Sequence, residues 1–123
     1  MDLKGKTAIV TGGGRDIGRA CVLELAARGA NVAINYMASS EGADSAVAEI
    51  KAAGGNAFAL QGDMTKEADV AALVEKTVKE FGQVDTLVHV TGGLVARVTM
   101  SEMTLDHWLS VMDVNLTSFV LMV

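Results

Sequence analysis

The 123-residue sequence has one cysteine, no proline, one tyrosine and one tryptophan, and only 4% of its residues are aromatic. A single cysteine, Cys21, cannot close an internal disulfide and fits a reducing compartment. No apolar run approaches the roughly 18 residues that a membrane helix needs. Basic blocks are missing as well. With 15 acidic against 10 basic residues the formal net charge is −5, which argues against nucleic acid as the main partner. The opening MDLKGKTAIV passes straight into a strand-like run, so no secretory signal peptide is expected. No repeat or low-complexity tract interrupts the chain, and no metal site is expected. Half of the residues are hydrophobic, which excludes intrinsic disorder, and the length suits one domain with a real core. These features imply a soluble, cytoplasmic, single α/β unit.

Short apolar runs alternate with longer helical patterns. Thr7–Thr11 (TAIVT) reads as a first strand, followed by three glycines. Asp16–Arg28 reads as a helix with Ile17, Ala20, Cys21 and Leu25 on one face and Gly29 as its stop. Asn31–Tyr36 is the second strand. A helix capped by Ser39 or Ser40 follows, with Ala43, Ala46, Val47, Ile50 and Ala53 at helical spacing. Ala57–Leu60 is a short third strand. Thr65 is the expected cap of a helix whose stripe is Val70, Leu73, Val74, Thr77, Val78 and Phe81. Val84–Val90 is the fourth strand, and a last helix starts near Thr104 and runs to Val123. This alternation predicts a doubly wound, Rossmann-like parallel sheet of about four strands in the order 3-2-1-4, with helices on both faces. Ligands of such sheets sit beyond the carboxyl ends of the strands, so the residues just after each strand are the candidates for function.

The first of these segments is Thr11-Gly12-Gly13-Gly14-Arg15-Asp16-Ile17-Gly18, which opens a helix directly. Glycines permit a tight turn and bring the backbone close to a phosphate, while the helix N-terminus offers unpaired N–H groups and partial positive charge. Three successive glycines at this place favour an anion site over a purely geometric turn. The spacing is G-x-G-x-x-x-G, with Ile17 at the third position of the commoner pattern.

Here the sequence resembles the short-chain dehydrogenases/reductases, including their 3-oxoacyl-ACP reductase-like members. TGGGRDIG is similar to the family's TGxxxGxG loop. Asp63, in QGDMT beside Met64, stands where the family places an acidic residue against the adenine ring. Leu87–Gly92 (LVHVTG) lies where LVNNAG is usual, and Val114-Asn115-Leu116 matches the VNL signature. The resemblance implies cofactor contacts from Thr11, Gly12, Gly14, Arg15, Asp16, Ile17, Gly18, Asn35, Tyr36, Asp63, Met64, Val90 and Gly92. It also implies a catalytic place for Asn115, as the asparagine that holds a water in a proton relay.

Two departures bear on that implication. Asp16 replaces the motif's second glycine, and either points away as a helix cap or weakens dinucleotide binding, the cap being the favoured reading. His89-Val90-Thr91 replaces Asn-Asn-Ala, and His89 reads as a hydrogen-bonded strand residue rather than a catalyst. Strand two ends Asn35-Tyr36 with no acid before Glu41, so the carboxylate that normally marks NAD is absent and a methyltransferase reading loses its acidic residue too. Arg15 can attract a 2′-phosphate, and in the family a basic residue there accompanies NADP(H). NADP(H) is therefore expected in preference to NAD(H).

The family's chemistry also needs a serine, a tyrosine and a lysine four residues after the tyrosine. The only tyrosine is Tyr36, and four residues later stands Ser40. The chain is thus expected to be the N-terminal dinucleotide-binding part, residues 1–123, of an oxidoreductase acting on a carbonyl or alcohol, and inactive alone. The other reading is a noncatalytic dinucleotide-binding or interaction module. Asn115 falls on an apolar stripe of Trp108, Val111, Met112, Leu116, Phe119, Val120 and Val123, where burial would demand backbone or water partners. An open fourth strand and that stripe together predict self-association, a homo-oligomer.

Overall fold

The computed structural model describes residues 1–123. Four parallel strands, β1 (Thr7–Thr11), β2 (Asn31–Tyr36), β3 (Ala57–Gln61) and β4 (Thr86–His89), form one sheet in the order β3-β2-β1-β4. β1 is its central strand, with Val10 beside Ile34 on β2 and beside Val88 on β4. Both faces of such a strand are covered, which is why β1 is buried at every position.

Alternation along the strands splits the core into two layers. Val10, Val32 and Ile34 point to one face, where they meet Val22 of α1 (Asp16–Ala27) and Ala43, Ala46 and Ile50 of α2 (Ser40–Ala52). Ile9 and Ala33 point to the other, against Val70 and Leu73 of α3 (Glu67–Phe81). Leu121 and Met122 pack onto that second layer from α5 (Ser118–Met122). Each fully buried valine, leucine or isoleucine here contributes about 1.5–3 kcal/mol.

Several local expectations are corrected. Helix α1 ends at Ala27, and its inward residues are Gly18 and Val22, with Cys21 and Leu25 half-buried; Ile17 and Ala20 are exposed. Asp16 is not the cap of α1. Arg15 holds the extended cap backbone (φ −155°, ψ 167°), whereas Asp16 lies in the first turn at φ +48° with its carboxylate in solvent. Thr65 is not the cap of α3 either: Lys66 takes that position, and the Thr65 hydroxyl donates to Asp63 Oδ1 at 2.7 Å. Ser39 holds the cap position of α2 without a side-chain cap bond. β3 reaches Gln61, and β4 is shorter than expected.

The last helix is not continuous. Thr104 caps α4 (Leu105–Met112), its Oγ1 accepting from His107 N at 3.1 Å. A π turn (Asp113–Thr117) then separates α4 from α5. Side chains interrupt the backbone ladder there: Asn115 Nδ2 donates to Val111 O and Ser118 Oγ to Val114 O, each at 2.7 Å. The wider turn shifts the helix phase, so a stripe counted at constant spacing misplaces its inner face. Ser118 is buried instead, while Asn115 is exposed and Leu116, Phe119, Val120 and Val123 lie at least 45% exposed.

Candidate functional site

The carboxyl ends of the strands and the turns after them enclose a cleft of about 510 Å³, within the range of small-molecule sites. Its floor is organised by Asn35, the buried penultimate residue of β2. Asn35 Oδ1 accepts from Gly12 N at 3.4 Å, its carbonyl accepts from Gly13 N at 2.9 Å, and its Nδ2 donates to Gly62 O at 3.1 Å. One side chain thus ties the glycine turn of β1 to the ends of β2 and β3.

Around this floor stand Gly12, Gly14, Arg15, Asp16 and Ile17 from the turn into α1, and Tyr36 after β2. Asp63 and Met64 close the β3 side, and Val90 and Gly92 the β4 side. Most of the expected residues are therefore brought together. Thr11, Gly18 and Asn115 are not on the lining. Thr11 is fully buried behind it, and its hydroxyl accepts from Val90 N and Thr91 N at 3.2 and 3.4 Å. Gly18 lies under the turn, where a β-carbon would collide with the Gly12 carbonyl. Asn115 has the backbone partners expected of it, although it is exposed. Its Nδ2 donates to Gly93 O and Val111 O, both at 2.7 Å, and its Oδ1 accepts from Gly93 N at 3.0 Å. Both amide protons are in use, so this side chain has no donor left for another group.

The lining also includes Met37, Ala38 and Ser39 after β2, with Gly62, Thr91 and Val114. The rule that points to residues beyond strand ends covers the first three, and Val114 is the first residue of the VNL signature. Ser39, which reads from sequence as a helix cap, both holds the cap position of α2 and lines the cleft.

Electrostatically the site is prepared for an anion. The amides of Gly14, Arg15, Asp16 and Ile17 donate to no carbonyl or side chain of the chain, as expected at a helix N-terminus. Unpaired amides in a glycine turn, with the helix dipole behind them, suit a phosphate. Arg15 and Asp16 are highly exposed, with Arg15 Nε 3.9 Å from Asp16 Oδ2. Asp63 accepts from the hydroxyl and the amide of Thr65, which lowers its pKa below the ordinary carboxylate value. It therefore faces the cleft as an anion able to accept hydrogen bonds. His89, as expected, is a hydrogen-bonded strand residue, between Thr11 Oγ1 and Ser118 Oγ at 2.9 and 3.0 Å.

Comparison with known proteins agrees with this geometry. Residues 6–123 match the family model of the short chain dehydrogenase. The chain is 41% identical, over 115 residues, to a 3-oxoacyl-[acyl-carrier-protein] reductase of Synechocystis sp., covering 94% of this chain and 46% of that protein. A short chain dehydrogenase from Burkholderia cenocepacia, solved in complex with NADP, superposes with a TM-score of 0.93 at 38% identity. That match covers 99% of this chain and 49% of the other. A blue fluorescent protein from a metagenomic library, solved with NADPH, gives a TM-score of 0.92 at 37% identity, covering 99% and 50%. The chain spans about half the length of the relatives it matches. No helix is long and apolar enough to cross a membrane. The chain belongs to the short chain dehydrogenase family.

Proposed function

We propose that this chain carries the dinucleotide-binding part of an NAD(P)(H)-dependent oxidoreductase, with NADP(H) preferred over NAD(H). The observation that carries this reading is the row of unpaired amides from Gly14 to Ile17, opening onto a cleft whose β2 side ends in Tyr36, Met37 and Ala38 without a carboxylate. Those amides take the pyrophosphate, Arg15 takes the 2′-phosphate, and Asp63 with Met64 borders the adenine. Tyr36 flanks the ribose, and Val90 and Gly92 leave the backbone open to the other half of the cofactor. Thr11, Gly18 and Asn35 shape the turn from behind.

Bound there, the cofactor supplies hydride exchange with a carbonyl or alcohol carbon. Asn115 holds Gly93, and with it the wall next to Gly92, by its paired bonds to the Gly93 amide and carbonyl. With no Y-x-x-x-K in the chain, the 123 residues bind the cofactor without turning substrate over. The same absence is what favours the other reading, a noncatalytic dinucleotide-binding or interaction module. The single Cys21 supports a reducing, cytoplasmic location. The exposed face of the last helices supports a homo-oligomer.

Calorimetric titration of the chain with NADPH and NADH tests the cofactor reading. Tighter binding of NADPH is expected. Equal affinities remove the NADP preference, and no heat with either removes the reading.

A further inference from the structure

Behind the β4 wall of the cleft lies a polar array centred on the half-buried His89, the last residue of β4. Thr11 on one side of the ring and Ser118 on the other are both fully buried. The ring also meets the edge of Phe119, with centroids 5.8 Å apart and planes at 62°.

Counting protons assigns every role in this array. Ser118 has one hydroxyl proton, and it points to Val114 O at 2.7 Å. Toward His89 the Ser118 oxygen can therefore only accept, so Nε2 carries the hydrogen of their 3.0 Å contact. A neutral ring protonated on Nε2 leaves Nδ1 as an acceptor, filled by the Thr11 hydroxyl at 2.9 Å. The lone pairs of Thr11 Oγ1 are then free for the amides of Val90 and Thr91, both on the cleft lining. The bonds run in one direction, from the cleft wall through Thr11 and His89 to Ser118 and the Val114 carbonyl.

A proton on Nδ1 reverses the Thr11 link, because two donors then face each other. Thr11 Oγ1 has to accept from the ring and give up a wall amide; the Thr91 amide is the one with no other acceptor, whereas Val90 N also donates to the Thr11 carbonyl at 3.3 Å. Nothing nearby offers the ring a counter-charge. β1, β4 and α5 contain no charged side chain, nor does the loop from Thr91 to Ala96. The one acidic residue of the π turn, Asp113, accepts from Thr117 Oγ1 at 2.9 Å. The charged residues of α3, the helix packed on α5, are Glu67, Asp69, Glu75, Lys76, Lys79 and Glu80, and none bonds to the ring. Burial accordingly pushes the imidazole below the usual histidine range.

We propose that His89 is a positioning residue for the cofactor cleft, holding the Val90–Thr91 wall only while neutral, so that acid pH releases the wall and weakens dinucleotide binding. The effect on binding rests on the cofactor reading above.

The test uses the full chain. Long-range 15N–1H correlations on the ligand-free protein at pH 7.5 should show His89 as the Nε2–H tautomer. The Kd for NADP+ should rise between pH 7.5 and 5.5 by up to about fivefold more than in His89→Asn, because loss of one hydrogen bond is worth about tenfold and a ring with a lowered pKa is only partly protonated at pH 5.5. Asparagine keeps an acceptor for Thr11 and does not titrate. The 2′-phosphate itself titrates near pH 6, so the difference between the two proteins is the readout. An Nδ1–H or charged ring at pH 7.5 overturns the proposal, as do superimposable pH profiles. If His89→Asn fails to fold, Ser118→Ala, which removes the acceptor of Nε2–H, should shift the tautomer toward Nδ1–H, and an unchanged tautomer overturns the array. Failure of NADP+ to bind at pH 7.5 overturns the cofactor reading and the binding effect with it, whereas the tautomer stands or falls on the free chain.

Discussion

Gly14 and Ser39 approach so closely that a β-carbon on Gly14 would lie 2.7 Å from the Ser39 carbonyl oxygen and 2.8 Å from its β-carbon. The turn into α1 and the segment entering α2 are thus in contact across the mouth of the cleft, and both contribute to its lining. Backbone this close has no flexible side-chain end that can move aside.

Gly14→Ala should therefore destabilise the chain by about 1–3 kcal/mol, the usual cost of forcing extra volume into a packed site. Gly93→Ala is the control, since a β-carbon there meets nothing within 4 Å. Denaturant unfolding of both variants checks this; equal midpoints would show that the contact is slack.

Asp16 keeps the left-handed backbone (φ +48°) of a position the family gives to glycine, but adds a carboxylate beside unpaired amides. Glycine adopts that conformation freely and Asp only tolerates it. Asp16→Gly should raise NADPH affinity about two- to fivefold, the size of a surface charge effect at a helix N-terminus. An unchanged Kd would mean that solvent screens the carboxylate fully.

Arg15→Gln separates the two cofactors. Removing the guanidinium should weaken NADPH roughly tenfold, in line with a hydrogen bond to a charged group, and leave NADH unaltered. Parallel losses for both cofactors would place Arg15 against the pyrophosphate instead of the 2′-phosphate.

The pH dependence of stability has two parts with the same sign. The lowered histidine pKa of His89 keeps the folded ring neutral while the unfolded ring takes up a proton, so stability falls as pH drops below the ordinary value of 6.5. The lowered carboxyl of Asp63 adds a loss as pH falls below 3.8. Thermal unfolding across pH 3 to 8 should show both declines, and His89→Asn should lack the upper one. An upper decline that survives in His89→Asn belongs to another group.

Trp108, Leu109, Leu116 and Phe119 lie 45–51% exposed on the last helices, and β4 is an edge strand. Open edges and apolar faces favour self-association. Light scattering at micromolar concentration should report a dimer or larger species; a clean monomer refutes this.

β1 and β2 can be read to the residue because each carries three successive apolar residues, Ala8–Val10 and Val32–Ile34, as a doubly covered strand requires. β4 starts only at Thr86 because Val84, strand-like in sequence, is exposed, and the Asp85 carboxylate accepts from Thr7 N at 2.9 Å. The cleft lining followed from strand ends and glycines, since topology places every such turn at one edge. What periodicity could not reveal depended on side chains competing with the backbone. Asn115 and Ser118 widen the last helix into a π turn, and that changes which residues face inward. Cap propensity likewise points to Asp16, whereas the extended backbone that defines a cap falls one residue earlier, at Arg15.

The dinucleotide assignment rests on the free amides at the start of α1, and amide chemical-shift mapping with NADPH examines them individually. Shifts concentrated at Gly14, Arg15, Asp16 and Ile17, with smaller ones at Asp63 and Gly92, are the predicted result. Saturable binding that leaves those four amides unmoved, or no saturable binding at all, would contradict it.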